Sequence, residues 1–176
     1  SKLYLGQMLL AAGETDRAAA VFSEAVQGLS TLLGPWHPIV MESRAELAQV
    51  SVAKGEPVEA VRRLKSLIAR SIDEHGLIHP LTKMLSNRVE AILIATGQAR
   101  DAASARSNRC ESIAQLASNW FGEAQECLLA AADLYISIGD DDQAEQTLLR
   151  FQSFESVKAS ASVERLARSD RLLAQI

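Results

Sequence analysis

Aromatic residues make up only 5% of this 176-residue chain, and strand-forming residues come singly rather than in alternating runs. A half-buried strand needs strict apolar–polar alternation, so the composition leans all-helical. No apolar run comes near the roughly 18 residues that a membrane-crossing helix needs. A basic excess is missing too: 18 Lys and Arg face 22 Asp and Glu, for a net charge of −4. That balance argues against nucleic acid as the main partner. The sequence has no Gly-rich phosphate loop, no nucleophile elbow and no paired catalytic carboxylates. We therefore expect no enzyme activity, no cofactor and no metal.

Cysteine is nearly absent. Cys110 and Cys127 stand alone, without metal-type spacing. Two buried, reduced thiols in an intracellular, cytoplasmic protein are expected, with a disulfide as the alternative. The opening Ser1-Lys2-Leu3 lacks the apolar core and cleavage site of a secretory leader. It also lacks an initiator Met and begins inside a helical pattern, so the chain reads as a piece of a longer protein.

What the chain does have is a period. Leu33-Gly34-Pro35-Trp36-His37-Pro38 returns 42 residues later as His75-Gly76-Leu77-Ile78-His79-Pro80. Gly13, Gly55, Gly97 and Gly139 keep the same interval, as do Ala18, Ala60, Ala102 and Ala144. Two apolar columns repeat it: Leu5, Leu47, Val89 and Ala131, then Leu10, Val52, Ile94 and Ile136. Such self-similarity is the signature of stacked repeats. The Gly column suits chain reversal between antiparallel helices, and the small Ala column lets helix axes approach closely.

The expected helices run about 2–12, 16–33, 38–54, 57–75, 80–97, 99–118, 122–139, 140–154 and 163–175. Gly ends and Pro or Asp starts mark them. Glu14-Thr15-Asp16 is expected to supply capping oxygens. The repeats would span about 1–36, 37–78, 79–120 and 121–159 of one domain, with a terminal helix at 160–176. In that helix Leu173 and Ala174 follow Ala131 and Ala132 by one period. It reads as the first helix of a fifth unit or as a cap, and its Arg165, Arg168 and Arg171 as a polar stripe or a basic docking face.

Within this frame Leu5-Gly6-x2-Leu9 and Ala18-x3-Phe22-x2-Ala25 resemble the tetratricopeptide repeat (TPR) motif. So do Ala60-x3-Leu64, and Leu128-x2-Ala131-Ala132-x2-Tyr135 with Ala144-x3-Leu148. The 42-residue period and Gly-x-x-His-Pro joint resemble the kinesin-light-chain type of the repeat. The resemblance implies an all-α, right-handed superhelical solenoid of four antiparallel helix pairs plus a C-terminal capping helix. Two departures stand out. Glu90 and Arg106 occupy columns that elsewhere hold Gly or Ala and Phe or Leu, and Trp120-Phe121-Gly122 replaces His-Pro at the third joint.

Chemistry-bearing motifs have plain readings. His37 and His79 precede helix-starting prolines and are expected to pack or cap there rather than to catalyse. Asp140-Asp141-Asp142 suits a helix N-terminus better than a calcium loop. The resemblance implies that the first helix of each pair lines a concave face that takes a partner's peptide or helix. By register those positions are Gln7, Glu42, Ala45, Gln49, Met84, Asn87, Ala91, Glu126, Leu129 and Asp133. Asn87 matches an Asn whose amide can clamp a peptide backbone. With Glu42, Glu126 and Asp133 the groove reads mildly acidic, so a neutral or basic protein segment is expected as partner, in a scaffold or adaptor role. Two alternatives stay open. One is self-association, as a homo-oligomer or within a longer chain. The other is the helical tail of an enzyme such as a SET–MYND methyltransferase. The outer face carries Arg62, Arg63, Lys65 and Arg70, read as a solvated helix surface.

Overall fold

The computed structural model describes residues 2–116, 121–156 and 163–176. Among these residues there are nine helices: α1 (Lys2–Ala11), α2 (Thr15–Leu33), α3 (Pro38–Ala53), α4 (Pro57–His75), α5 (Pro80–Ala95), α6 (Ala99–Leu116), α7 (Phe121–Ser137), α8 (Asp141–Ser156) and α9 (Val163–Leu173). They pack in sequence as antiparallel pairs, so the all-helical repeat expected from the period is the observed fold. The helices group into two compact units, Ser1–Ile92 and Leu93–Ile176. Trp120, part of the departure at the third joint, lies outside the described residues.

The period has a structural cause at each joint. Gly13, Gly55, Gly97 and Gly139 have φ of 79°, 81°, 78° and 71°, a left-handed conformation that strains any residue with a Cβ. Ala18, Ala60, Ala102 and Ala144 are all 0% exposed. Each sits where the second helix of a pair presses on its neighbour and a longer side chain would overpack the contact.

The two histidines at the joints are caps. His37 Nδ1 accepts the Ile39 N–H at 3.3 Å, and His79 Nδ1 accepts the Leu81 N–H at 3.2 Å. The pairing satisfies an amide that a helix start otherwise leaves orphaned. Pro38 and Pro80, which have no N–H to satisfy, take the first helical position. His75 Nε2 lies 3.1 Å from the Trp36 carbonyl oxygen, tying the end of α4 to the α2–α3 joint. Glu14 does not cap α2 through its side chain. Its carboxylate is drawn to the Arg17 guanidinium one turn on, while Asp16 pairs with Lys54 at 2.7 Å.

The first unit has Leu9, Ala18, Phe22 and Val50 as one core cluster, with Leu3, Leu10 and Leu47 against it. Phe22 fills the space above Gly6 so closely that a Cβ there would stand 2.5 Å from the ring. Ser71 and Thr82 form a buried tie between α4 and α5 at 2.7 Å, and Thr82 donates onward to the Gly76 carbonyl at 2.9 Å.

In the second unit Cys110, Leu128, Leu129, Ala132, Leu148, Phe151 and Leu172 pack together. Ala103, Tyr135 and Ala144 form a further cluster. Here the cysteine expectation is corrected. Cys110 on α6 and Cys127 on α7 form a disulfide, 17 residues apart in sequence. Antiparallel packing of the two helices brings their Cα atoms to 5.5 Å, inside the range a disulfide spans. The two polar departures of the third repeat are absorbed differently. Glu90 is 3% exposed, whereas Arg106 is half-buried and donates to the Ala130 carbonyl at 3.2 Å.

Candidate protein-interaction surface

Residues three, four or seven apart on a helix share a face. In the first unit this rule groups Glu42 with Gln49 on α3 and Met84 with Asn87 on α5. The same register position on α1 holds Gln7. Gln7, Glu42 and Asn87 are exposed, and Gln49 and Met84 half-buried. Glu42 and Asn87 carry no side-chain hydrogen bond or ion pair among the described residues, so an exposed carboxylate and an exposed amide stand open to solvent. Ala91 is also exposed, but Ala45 and Leu129 are fully buried. Those two small or apolar side chains fill helix contacts and leave the list of accessible positions.

Beside this face runs a polar seam that links the first helices laterally. Gln7 Nε2 donates to Glu46 Oε1 at 3.4 Å, and Arg88 Nη2 donates to the same oxygen at 2.7 Å. The Glu46 side chain is only 7% exposed. A carboxylate this deep needs a cation held against it, and α5 delivers one a full period later.

In the second unit the acidic positions are already engaged. Arg165 Nε on α9 donates to Glu126 Oε1 at 3.0 Å, and its Nη1 to Gln125 Oε1 at 3.0 Å. Arg168 reaches Glu126 Oε2 at 3.4 Å and also pairs with Asp133. Gly122 makes room for this arrangement, since a Cβ there would lie 3.1 Å from the Arg165 guanidinium. Arg165 and Arg168 of α9 thus lie against α7, whereas Arg171 is exposed. Sequence reasoning did not pair these groups, although a signal existed. Glu46 with Arg88, and Glu126 with Arg168, are opposite charges one 42-residue period apart on first helices.

The remaining chemical candidates resolve as structure. The His75 and His79 rings lie 4.9 Å apart, but their nitrogens serve the Trp36 carbonyl and the Leu81 amide. Asp140 pairs with Arg100 at 2.9 Å. Asp141 and Asp142 occupy the first turn of α8, where negative charge favours the helix. Among the described residues no group of three or more His, Cys, Asp or Glu could hold a metal ion, and no helix is long and apolar enough to cross a membrane.

Paired helices, a small-residue column and a laterally tied row of first helices define a TPR-like repeat fold. No protein-family model and no curated protein matches the chain. Solved structures do. A putative kinesin light chain of nearly identical TPR-like repeats from Podosopora anserina matches with a TM-score of 0.59 at 21% identity, over 99% of this chain and 83% of that one. A single-substitution variant of that protein matches with a TM-score of 0.60 at the same 21% identity, over 99% and 82%. BtubC (BKLC) from P. vanneervenii matches with a TM-score of 0.59 at 14% identity, over 92% of this chain and 68% of that one. At these identities the likeness establishes the fold.

Proposed function

We propose that this chain is a protein-interaction module whose first unit receives a peptide or helical segment of a partner on Gln7, Glu42, Gln49, Met84 and Asn87. The observation that carries the reading is the contrast between the units. Glu42 and Asn87 stand exposed without side-chain partners, while Glu126 and Asp133 are taken by arginines of α9. Asn87 offers a donor and an acceptor to a peptide backbone, and Met84 an adaptable apolar contact. Glu42 favours a neutral or basic segment over an acidic one. The arginine-bearing α9 seated on Glu126 and Asp133 supports that polarity, as an example of a basic helix on acidic first-helix positions. The paired cysteines lend no support to a cytoplasmic setting, since structural disulfides persist in oxidising compartments.

A peptide library displayed on phage and panned against the full chain tests this reading. Winning peptides should bind wild type and lose at least about tenfold in affinity on Glu42→Lys or Asn87→Ala, the loss of one charged or clamping contact. Unchanged affinity on both variants would overturn the assignment of this face.

Self-association is a second reading with an observation of its own. Glu42 holds the register position of Glu126, so α9 of a second copy, exchanged from its own α7, has the chemistry to engage it. Sedimentation across a concentration series separates the two: a concentration-dependent dimer that Glu42→Lys weakens favours self-association, and a monomer at all concentrations excludes it.

A further inference from the structure

We propose that the first unit carries a second binding site, a phosphate-monoester site in the pocket between α3 and α4. The pocket measures about 720 Å³ and is lined by Trp36, Arg44, Arg62, Arg63, Arg70 and Asp73, among others. This is within the roughly 300–1,000 Å³ usual for small-ligand sites. On α3, Arg44 projects away from Glu42 and Gln49, since each helical residue turns by about 100°. The pocket is therefore separate from the peptide face and does not rest on it.

The lining arginines fall into two kinds. Arg62 and Arg63 are already held by Glu59, whose carboxylate accepts Arg62 Nε and Nη2 at 2.7 Å and Arg63 Nε at 2.6 Å. Arg44 and Arg70 are held by an indole instead. Their guanidinium carbons lie 5.0 Å and 4.4 Å from the Trp36 ring centroid. A cation over an aromatic face is oriented without losing its charge, so Arg44 keeps its whole fork, and Arg70 the part that Glu74 does not take, for an anion. Arg44 has no carboxylate partner among the described residues. Arg70 gives Nη2 to Glu74 at 2.8 Å, and its Nε is buried without a hydrogen-bond partner.

Two guanidinium forks close to one ring, with two more arginines behind them, favour a compact anion of high charge. A phosphate monoester has three acceptor oxygens and a charge near −2 at neutral pH, so it can accept from more than one lining guanidinium. A single carboxylate has two oxygens and half the charge. Asp73 at the pocket wall would repel a bare anion placed against it. It is positioned instead to accept from an N–H or O–H on the group that bears the phosphate. That group is either a phosphorylated protein side chain or a free small phosphate, and the two share the same recognition chemistry.

Titration calorimetry on the full chain tests the site with four probes. These are inorganic phosphate, a phosphoserine hexapeptide, its unphosphorylated form, and an Asp-rich hexapeptide of equal charge. The expected result is binding of inorganic phosphate and the phosphopeptide, with neither control peptide binding measurably. Phosphopeptide binding at least tenfold tighter than phosphate identifies a protein-borne source, and equal binding a free phosphate. Arg44→Ala should weaken both ligands at least tenfold, while Arg17→Ala, on α2, leaves them unchanged. If Arg44→Ala fails to fold, the wild-type Trp36 indole N–H resonance becomes the readout, and it must shift on adding phosphate. Equal binding of the Asp-rich peptide, an unaffected Arg44→Ala, no binding of any probe, or an unmoved indole resonance each overturns the proposal.

Discussion

Arg88 on α5 places its Nη2 2.7 Å from Glu46 Oε1 on α3, one full sequence period earlier. The Glu46 side chain is 7% exposed and Arg88 23%, so the pair is largely out of water. Removing one member of such a pair leaves the other charge buried and unanswered. Arg88→Ala should therefore lower stability by about 3 kcal/mol, read as a fall in the urea midpoint. Arg62→Ala, which removes an exposed partner of Glu59, should leave the midpoint in place.

The Cys110–Cys127 disulfide joins α6 to α7 across 17 residues. Closing a loop of that size restricts the unfolded chain and stabilises the fold by about 3 kcal/mol. Cys127→Ser, or reduction with a phosphine, should lower the melting temperature and expose protected amides of α6 and α7 to hydrogen exchange. Exchange in α1 and α2 should not change.

Two glycines make opposite predictions. At Gly6 an added Cβ would meet the Phe22 ring at 2.5 Å, so Gly6→Ala should destabilise by about 1–3 kcal/mol through overpacking. At Gly28, inside α2, a Cβ meets nothing within 4 Å. Gly28→Ala should stabilise by about 1 kcal/mol, the ordinary gain for a helix interior. Thermal melts of the two variants should move in opposite directions.

These variants also mark how far the sequence could be read. The Gly and Ala columns, with the helix-starting prolines, predicted the helix order and the boundaries within the described residues to within two positions, because chain reversal and close helix approach each admit few residue types. α4 begins at Pro57 and ends at His75 as expected. The capping role of His37 and His79 was legible from the adjoining prolines. Pairing between helices was not. The repeat put Cys110 and Cys127 on facing helices, so their approach was legible, but whether the thiols join was not. Ala45 and Leu129 share a register with exposed residues, yet lie against neighbouring helices. Arg62 and Arg63 are exposed, as the solvated-surface reading has them, but the pocket they share with Trp36 and Arg44 was not legible, because those two come from another stretch of chain.

Tyr135 gives a pH prediction. Burial raises its phenol pKa above the ordinary value near 10, against the opposing pull of a hydrogen bond with Ser104. The folded state therefore keeps the proton where the unfolded state has lost it. Stability is unaffected below the unfolded pKa and falls as pH rises above it. In a Tyr4→Phe background, absorbance near 295 nm should show phenolate forming at higher pH in the folded protein than in urea. Tyr135→Phe should flatten the alkaline loss of stability.

The central claim is that partners are received on the exposed first-helix positions of the first unit. Chemical-shift mapping of the ¹⁵N-labelled full chain with an unphosphorylated peptide from the display selection tests it most directly. The account predicts perturbed amides around Gln7, Glu42, Gln49, Met84 and Asn87, with the Asn87 side-chain amide among the largest shifts. Perturbations confined to Arg62, Lys65 and the rest of the α4 outer face, with the Asn87 amide unmoved, would contradict it.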